Sequence, residues 1–373
     1  MREFLDGGEV IARAAIHAGC DFFAGYPITP STSILTHLLR ELPKVGGVGV
    51  HAEDEIAAMG FCIGAALAGR RVMTATSGPG ISLFSENIGL AIMGEVPMVI
   101  VDAQRMGPAT GSATAVAQGD IQFLRWCTSG GFPVIVLAPV DLPDAYALTL
   151  RAFDLAERFR SPVFLATDKD TVMGKATVDS RSLEPASVRP RTLAPADEPF
   201  VPYRVERPEQ VPPMAHFGGP HVVRFTTSSH DEAGYQAKWP EQISALSQHL
   251  MEKVNAHTSE ISQVRWDREP GARTLILSYG VTALAAREAV VRGRVRGLAL
   301  SSLEVLSLWP VPDLALIEAM EDAQRVVVAE LNFGQYRREV ERVAGVAFRG
   351  RTGPEVMGVC RMDGELIDPE EIL

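Results

Sequence analysis

The stretch Glu53–Gly80, reading EDEIAAMGFCIGAALAGRRVMTATSGPG, decides how this chain is read. Three acids open a segment of small residues. Ala57, Ala58, Gly60, Gly64, Ala65, Ala66, Ala68 and Gly69 leave almost no side-chain bulk, so a second backbone or a flat ligand can approach closely. After Arg70 and Arg71 comes a short apolar run with β-branched residues, Val72–Thr76, and then Ser77-Gly78-Pro79-Gly80 ahead of another helix-like segment. The pattern predicts a helix, a buried strand and a glycine turn at the strand's carboxyl end. In open α/β sheets, ligands bind outside such strand ends, at a switch in the strand order. First-turn acids are favoured by the helix dipole alone. Glu53, Asp54 and Glu55 therefore gain meaning only from their surroundings.

Working outward, helices and strands alternate. Residues 7–20 carry helical periodicity, and Asp21–Gly25 reads as a short strand. Tyr26-Pro27-Ile28-Thr29-Pro30-Ser31 is a rigid turn in which Ser31 or Thr32 can cap a helix over Ile34–Leu42. A strand at Val48–Ala52 leads into the central stretch. Beyond it come a helix at Leu83–Met93, a strand at Pro97–Asp102 and a polar, glycine-rich loop from Gln104 to Asp120. A helix at Ile121–Cys127, a strand at Phe132–Leu137, a helix at Asp144–Ala156 and a strand at Pro162–Ala166 follow. This alternation predicts a mostly parallel sheet with helices on both faces.

The chain changes character at Lys175: residues 175–240 are rich in proline, arginine and polar residues, and residues 241–263 read as a long polar helix. His216, His221 and His230 fall in this loop-like region at irregular spacing and read as surface histidines rather than metal ligands. A second α/β unit begins at Arg273. Its strands are Thr274–Ser278, Leu298–Leu303 and Val326–Leu331, with helices Ala283–Val291 and Leu314–Met320 between them. Asn332-Phe333-Gly334-Gln335 then turns into a charged helix, Tyr336–Val343. The expected organisation is a first domain over 1–175, a linker and insertion over 176–270, and a second α/β domain over 271–373.

The net charge of −11 argues against nucleic acid and anionic membranes as partners. No apolar run reaches the roughly 18–20 residues a membrane helix needs, and MREFLDGGEV lacks a signal-peptide core. The four cysteines are scattered without a CxxC pair, which points to a reduced, cytoplasmic chain without its own metal cluster.

Four features of the first domain sit just past the carboxyl ends of expected strands, where they can converge on one cleft. They are Glu55 with its acidic neighbours, the Tyr26–Pro30 loop, the Ser77–Gly80 turn, and Gln104-Arg105 with Thr110, Ser112 and Thr114 after it. The turn offers backbone amides to a polar or anionic group, and the arginine offers a fork for a carboxylate.

Together these residues resemble the pyrimidine-binding domain of thiamine-diphosphate enzymes. The YPITPS loop, the EDE-IAA-G pattern, the QR-GPATG loop and Gly119-Asp120 are similar, more narrowly, to the α subunit of 2-oxoacid:ferredoxin oxidoreductases. PYRVERPEQVPPM, SSHDEAGY, SLEVLSLWPVP, VVVAELNFGQ and MDGELIDPEEI resemble the 2-oxoglutarate type of that subunit, so the likeness covers nearly the whole chain. It implies a parallel-sheet pyrimidine-binding domain followed by a transketolase C-terminal-like α/β domain. It also implies that Glu55, rather than Glu53, hydrogen-bonds N1′ of the aminopyrimidine. Tyr26, Pro27, Ser77 and Gly78 would line the cofactor, while Thr29, Arg105 and Thr114 would bind the substrate.

The pyrophosphate motif of these enzymes begins GDG and ends in asparagine. Gly119-Asp120 lacks the second glycine, and the only asparagines are Asn87, Asn255 and Asn332. The resemblance thus implies half a cofactor site. A β subunit would supply the pyrophosphate–Mg²⁺ half and an iron–sulfur cluster that passes electrons to ferredoxin, in an α2β2 heterotetramer with CoA as co-substrate. The expected reaction converts 2-oxoglutarate to succinyl-CoA and CO2. A branched-chain substrate, pyruvate or an aryl 2-oxo acid is the alternative within the class. A stand-alone thiamine decarboxylase conflicts with the missing motif, and a non-catalytic scaffold conflicts with the joint presence of Glu55, Thr29 and Arg105.

Overall fold

Strand Met98–Gln104 is buried at every residue, as expected for the middle of a parallel sheet covered on both faces. The computed structural model describes residues 2–373. In it this strand is the centre of a seven-stranded sheet. The order runs Ser307–Trp309, Ile135–Leu137, Pro162–Asp168, Met98–Gln104, Val72–Thr76, Phe22–Gly25, Val48–His51. All neighbours pair in parallel except Ser307–Trp309, which runs antiparallel to Ile135–Leu137. Side chains alternate between two cores. Val99, Val101 and Ala103 pack with the helices Gly7–His17, Thr32–Glu41 and Leu142–Phe159. Met98 and Ile100 pack with Glu55–Leu67 and Gly78–Met93, and that core continues into the second unit.

The second sheet has five strands in the order Glu355–Cys360, Arg325–Glu330, Thr274–Ser278, Leu300–Val305, Val264–Asp267, parallel apart from the last pair. Arg2–Asp6 and Lys175–Asp179 form a separate antiparallel pair.

Several elements differ from the sequence expectation. The Ser77–Gly80 segment is not a free turn but the start of a helix, Gly78–Met93, with Ser77 as its N-cap. Pro79 explains this, because a first-turn proline has no amide to leave unsatisfied and its φ is already helical. Ser31 precedes the helix Thr32–Glu41 without capping it; its hydroxyl donates to the Ile28 carbonyl at 2.9 Å. The expected long polar helix is two, Pro240–Asn255 and Thr258–Ile261. His230 is not at the surface: it is 1% exposed, with ring nitrogens 3.0 Å from the carbonyls of Asp231 and Met93.

At the amino ends of the strands, a charged knot fastens residues 202–253 to the first sheet. Glu95 is fully buried and meets Lys253 Nζ at 2.8 Å and His249 Nε2 at 3.2 Å. Arg160 donates to the carbonyls of Pro202, Pro212 and Pro213 at 3.1–3.2 Å. Burial pushes the Glu95 carboxyl up, but Lys253, Arg160 and His249 outweigh it and hold the group well below the usual carboxylate range.

The topology has one direct consequence for function. Strands Met98–Gln104, Val72–Thr76, Phe22–Gly25 and Val48–His51 are adjacent and parallel, so the loops at their carboxyl ends open on one side of the sheet.

Candidate active site

Glu55 is the first residue of the helix Glu55–Leu67 and the one buried member of the three acids, at 8% exposure. Asp54 spends its carboxylate on the helix, accepting from the Ala57 amide at 2.7 Å as N-cap. Glu53 is exposed. The Glu55 carboxylate accepts no hydrogen bond from the described residues. Its stem instead packs against the first turn of the next helix. A Cβ built on Gly80 would lie 3.0 Å from Glu55 Cγ and 1.8 Å from Thr76 Oγ1, so position 80 admits only glycine without rearrangement. The outer face of the Glu55 helix is flat: Gly60 and Gly64 have open space where a side chain would stand, and Ile56 and Phe61 are about half exposed.

Arg105 follows directly on strand Met98–Gln104 and is 6% exposed. Its Nη1 donates to the Thr29 carbonyl at 2.5 Å, while its buried Nε–H has no acceptor. Thr29 and Arg105, both expected at the substrate, are thus brought together, with the threonine contributing its backbone carbonyl. A buried guanidinium with an unmet donor invites a carboxylate.

Two acids lie in the same region: Asp120, the aspartate of the Gly119-Asp120 pair, and Asp102, which no sequence signal marks. Asp102 is fully buried in the strand, in register with Thr76 and Ala166, and neither of its oxygens has a hydrogen-bond partner. Asp120 lies against the start of the neighbouring helix; a Cβ on Gly78 would meet its Oδ2 at 2.7 Å. Its backbone N–H donates to Gln104 Oε1 at 3.1 Å. Burial pushes the Asp120 carboxyl up to about 6, with Arg105 opposing the shift. Asp102 rises well above the usual range, through burial first and then the Asp120 charge. Burial and mutual repulsion thus both favour the protonated form of the pair. Long-range packing buries Asp102, and no local motif announces that.

The remaining expected site residues divide. Ser77 is fully buried with an unpartnered hydroxyl, and Gly78 starts the helix between Asp120 and Gly80. Tyr26 and Pro27 are exposed at the rim, and Thr114 is exposed in the loop beyond Arg105. Glu55, Gly80, Gly78, Asp120 and Arg105 thus form a chain of neighbours around the first turn of one helix.

A doubly covered parallel sheet followed by a smaller, mostly parallel unit is an architecture of thiamine-diphosphate enzymes. The chain belongs to the pyruvate flavodoxin/ferredoxin oxidoreductase family, whose thiamine-diphosphate-binding part matches residues 13–248, while residues 272–372 match core domain II of pyruvate:ferredoxin oxidoreductase. It is 39% identical to the 2-oxoglutarate synthase subunit KorA of Methanocaldococcus jannaschii, covering 99% of this chain and 98% of that one. It is 32% identical to the ketoisovalerate oxidoreductase subunit VorB of Methanothermobacter thermautotrophicus, covering 100% and 96%. The 2-oxoglutarate:ferredoxin oxidoreductase of Magnetococcus marinus, solved with 2-oxoglutarate, coenzyme A and succinyl-CoA, superposes with a TM-score of 0.92 at 29% identity. This chain is covered in full and spans 64% of that one.

Proposed function

We propose that this chain is the α subunit of a CoA-acylating 2-oxoacid:ferredoxin oxidoreductase, and that it acts on 2-oxoglutarate. The observation that carries the reading is Glu55, a largely buried residue whose carboxylate reaches the surface with no partner among the described residues, beside a glycine-lined helix start. The residues present fit the aminopyrimidine half of thiamine diphosphate: Glu55 would hold ring nitrogen N1′, with Ser77 and Gly78 beside it and Tyr26 and Pro27 at the rim. When bound, the cofactor supplies an electron sink for decarboxylation of a 2-oxo acid.

The chain's own part is positioning and proton handling. Glu55 would accept and return a proton at N1′, as a carboxylate with no competing donor among the described residues. Arg105, tethered by the Thr29 carbonyl, uses its free Nε–H on the substrate's 1-carboxylate. Thr114 lies on the same loop and would contact the substrate from its outer side.

A β subunit would bring the diphosphate–Mg²⁺ half and the iron–sulfur cluster that feeds ferredoxin, in an α2β2 assembly. The flat face around Gly60 and Gly64, flanked by exposed Ile56 and Phe61, suits a partner packed beside Glu55. The higher identity to the 2-oxoglutarate-type relative than to the ketoisovalerate-type one favours 2-oxoglutarate over a branched-chain substrate.

The test is viologen reduction by the chain co-expressed with its β subunit, with CoA and a panel of 2-oxo acids. 2-Oxoglutarate should support reduction, Glu55→Gln should cripple it, and the chain alone should be inert. Turnover by the chain alone, or a fully active Glu55→Gln enzyme, would overturn the split-site reading.

A further inference from the structure

The segment that carries Asp120 is held by the second α/β unit. Gln118 N–H donates to the Leu331 carbonyl at 2.8 Å, and Asn332 Nδ2 donates to the Gln118 carbonyl at 2.8 Å. Gln335 spans the other side of Asp120: its Nε2 donates to the Gly119 carbonyl at 2.6 Å, and its Oε1 accepts from the Gln122 N–H at 2.9 Å. Asn332, fully buried, fixes Gln335 in turn by accepting its backbone N–H at 2.8 Å and donates a further bond to the Tyr279 hydroxyl at 2.7 Å. Residues 118, 119 and 122 are therefore all gripped from the turn Leu331–Gln335, and Asp120 sits between the grips.

We infer that Gln335, supported by Asn332, is a positioning residue for the substrate-carboxylate pocket, acting through the 118–122 segment on Asp120 and Arg105. The inference rests on the reading of Arg105 as the carboxylate's partner. Asp120 is the acidic group that acts on Arg105, and its backbone is hydrogen-bonded to Gln104, the residue before Arg105. Its carboxylate also abuts Gly78. Slackening the segment would move this counter-charge relative to the guanidinium and weaken capture of an anionic substrate. Glu55 meets the helix from another side, through Gly80, and keeps its contacts. Ground-state binding should suffer while turnover does not.

The experiment is steady-state kinetics of the co-expressed complex carrying Gln335→Met, which keeps the side chain's length and removes both hydrogen bonds. KM for the 2-oxo acid should rise about tenfold, the size expected for losing one to two buried hydrogen bonds that position a charge. The turnover number should stay near the wild-type value. Gln335→Glu keeps the acceptor for Gln122 and loses the donor to Gly119; its KM should lie between the two, and it serves if the methionine variant does not assemble. Amide hydrogen exchange on the same proteins should show faster exchange at Gln122. Faster exchange with unchanged KM, or a loss of turnover with unchanged KM, would make the turn purely structural and sink the inference. Arg105→Met in parallel separates the two readings. If that variant keeps its KM, the carboxylate assignment itself fails; if its KM rises and that of Gln335→Met does not, only the role of Gln335 fails.

Discussion

Two buried charged clusters lie at opposite ends of the same sheet and are built on opposite rules. At the amino ends, Glu95 Oε2 accepts from Lys253 Nζ, Glu95 Oε1 lies 3.2 Å from His249 Nε2 as a charge contact without hydrogen-bond geometry, and Arg160 donates to three proline carbonyls. At the carboxyl ends, Glu55 has no partner, Arg105 Nε has no acceptor, and both Asp102 oxygens and Asp120 Oδ2 lack donors. Buried polar groups are normally satisfied, and an unpaired one costs free energy. The first cluster closes upon itself and holds the chain together. The second is left open, and under the proposed function its unmet groups are those that would take a ring nitrogen at Glu55 and a carboxylate at Arg105.

This contrast is sharpest in the response to single substitutions. Glu55→Gln should lower turnover by roughly 10²–10⁴-fold, the usual value of a general acid–base group, while leaving thermal stability unchanged. A matching fall in stability would mean Glu55 belongs to the closed kind. Lys253→Met should do the reverse, costing about 3–5 kcal/mol in urea unfolding because it strands Glu95 as a buried, less compensated charge. Surviving folded enzyme should turn over normally; a specific catalytic defect would break the division between the two ends. Arg105→Met should raise KM for the 2-oxo acid roughly 10- to 100-fold through the lost charge-assisted hydrogen bonds.

The smallest effect concerns pH. Asp120 is raised to about 6 by burial, against an ordinary value near ~4 for an aspartate in the unfolded chain. The folded state therefore binds the proton more tightly across that window, and the stability contributed by Asp120 falls as pH rises through it. Glu95 has the opposite sign: its depressed folded value gives stability above the ordinary carboxylate range that is lost as pH falls. Melting temperatures of wild type and Asp120→Asn, compared between about pH 4 and 6, should show the wild-type advantage shrinking as pH rises. A flat difference would show that Asp120 does not titrate there.

Much of the open end was legible in the sequence, because its signals are local. β-branched runs marked Val72–Thr76 and Pro162–Ala166, and prolines and glycines marked the Tyr26 and Ser77 segments. Family likeness alone favours Glu55 over Glu53; in the structure Glu55 is the buried one of the three acids, Asp54 caps the helix and Glu53 is exposed. What stayed hidden depends on distant residues. Asp102 looks like an ordinary polar residue until the sheet and its helices cover it, and the Gly119-Asp120 pair does not by itself show that Asp120 lies against Gly78. The Glu95–Lys253 pair joins positions 158 residues apart. Arg2–Asp6, Ser307–Trp309 and Glu355–Cys360 are short or edge strands that only their partners define.

One of those strands constrains how the chain can be divided. Ser307–Trp309 lies in the second half of the sequence yet closes the edge of the first sheet beside Ile135–Leu137. Trp309 Nε1–H also reaches the Ile121 carbonyl at 3.1 Å. A fragment ending near residue 270 would leave that edge bare and prone to pair with other copies. The two halves are thus expected to melt in a single cooperative step, and separately expressed fragments to recover solubility only when mixed.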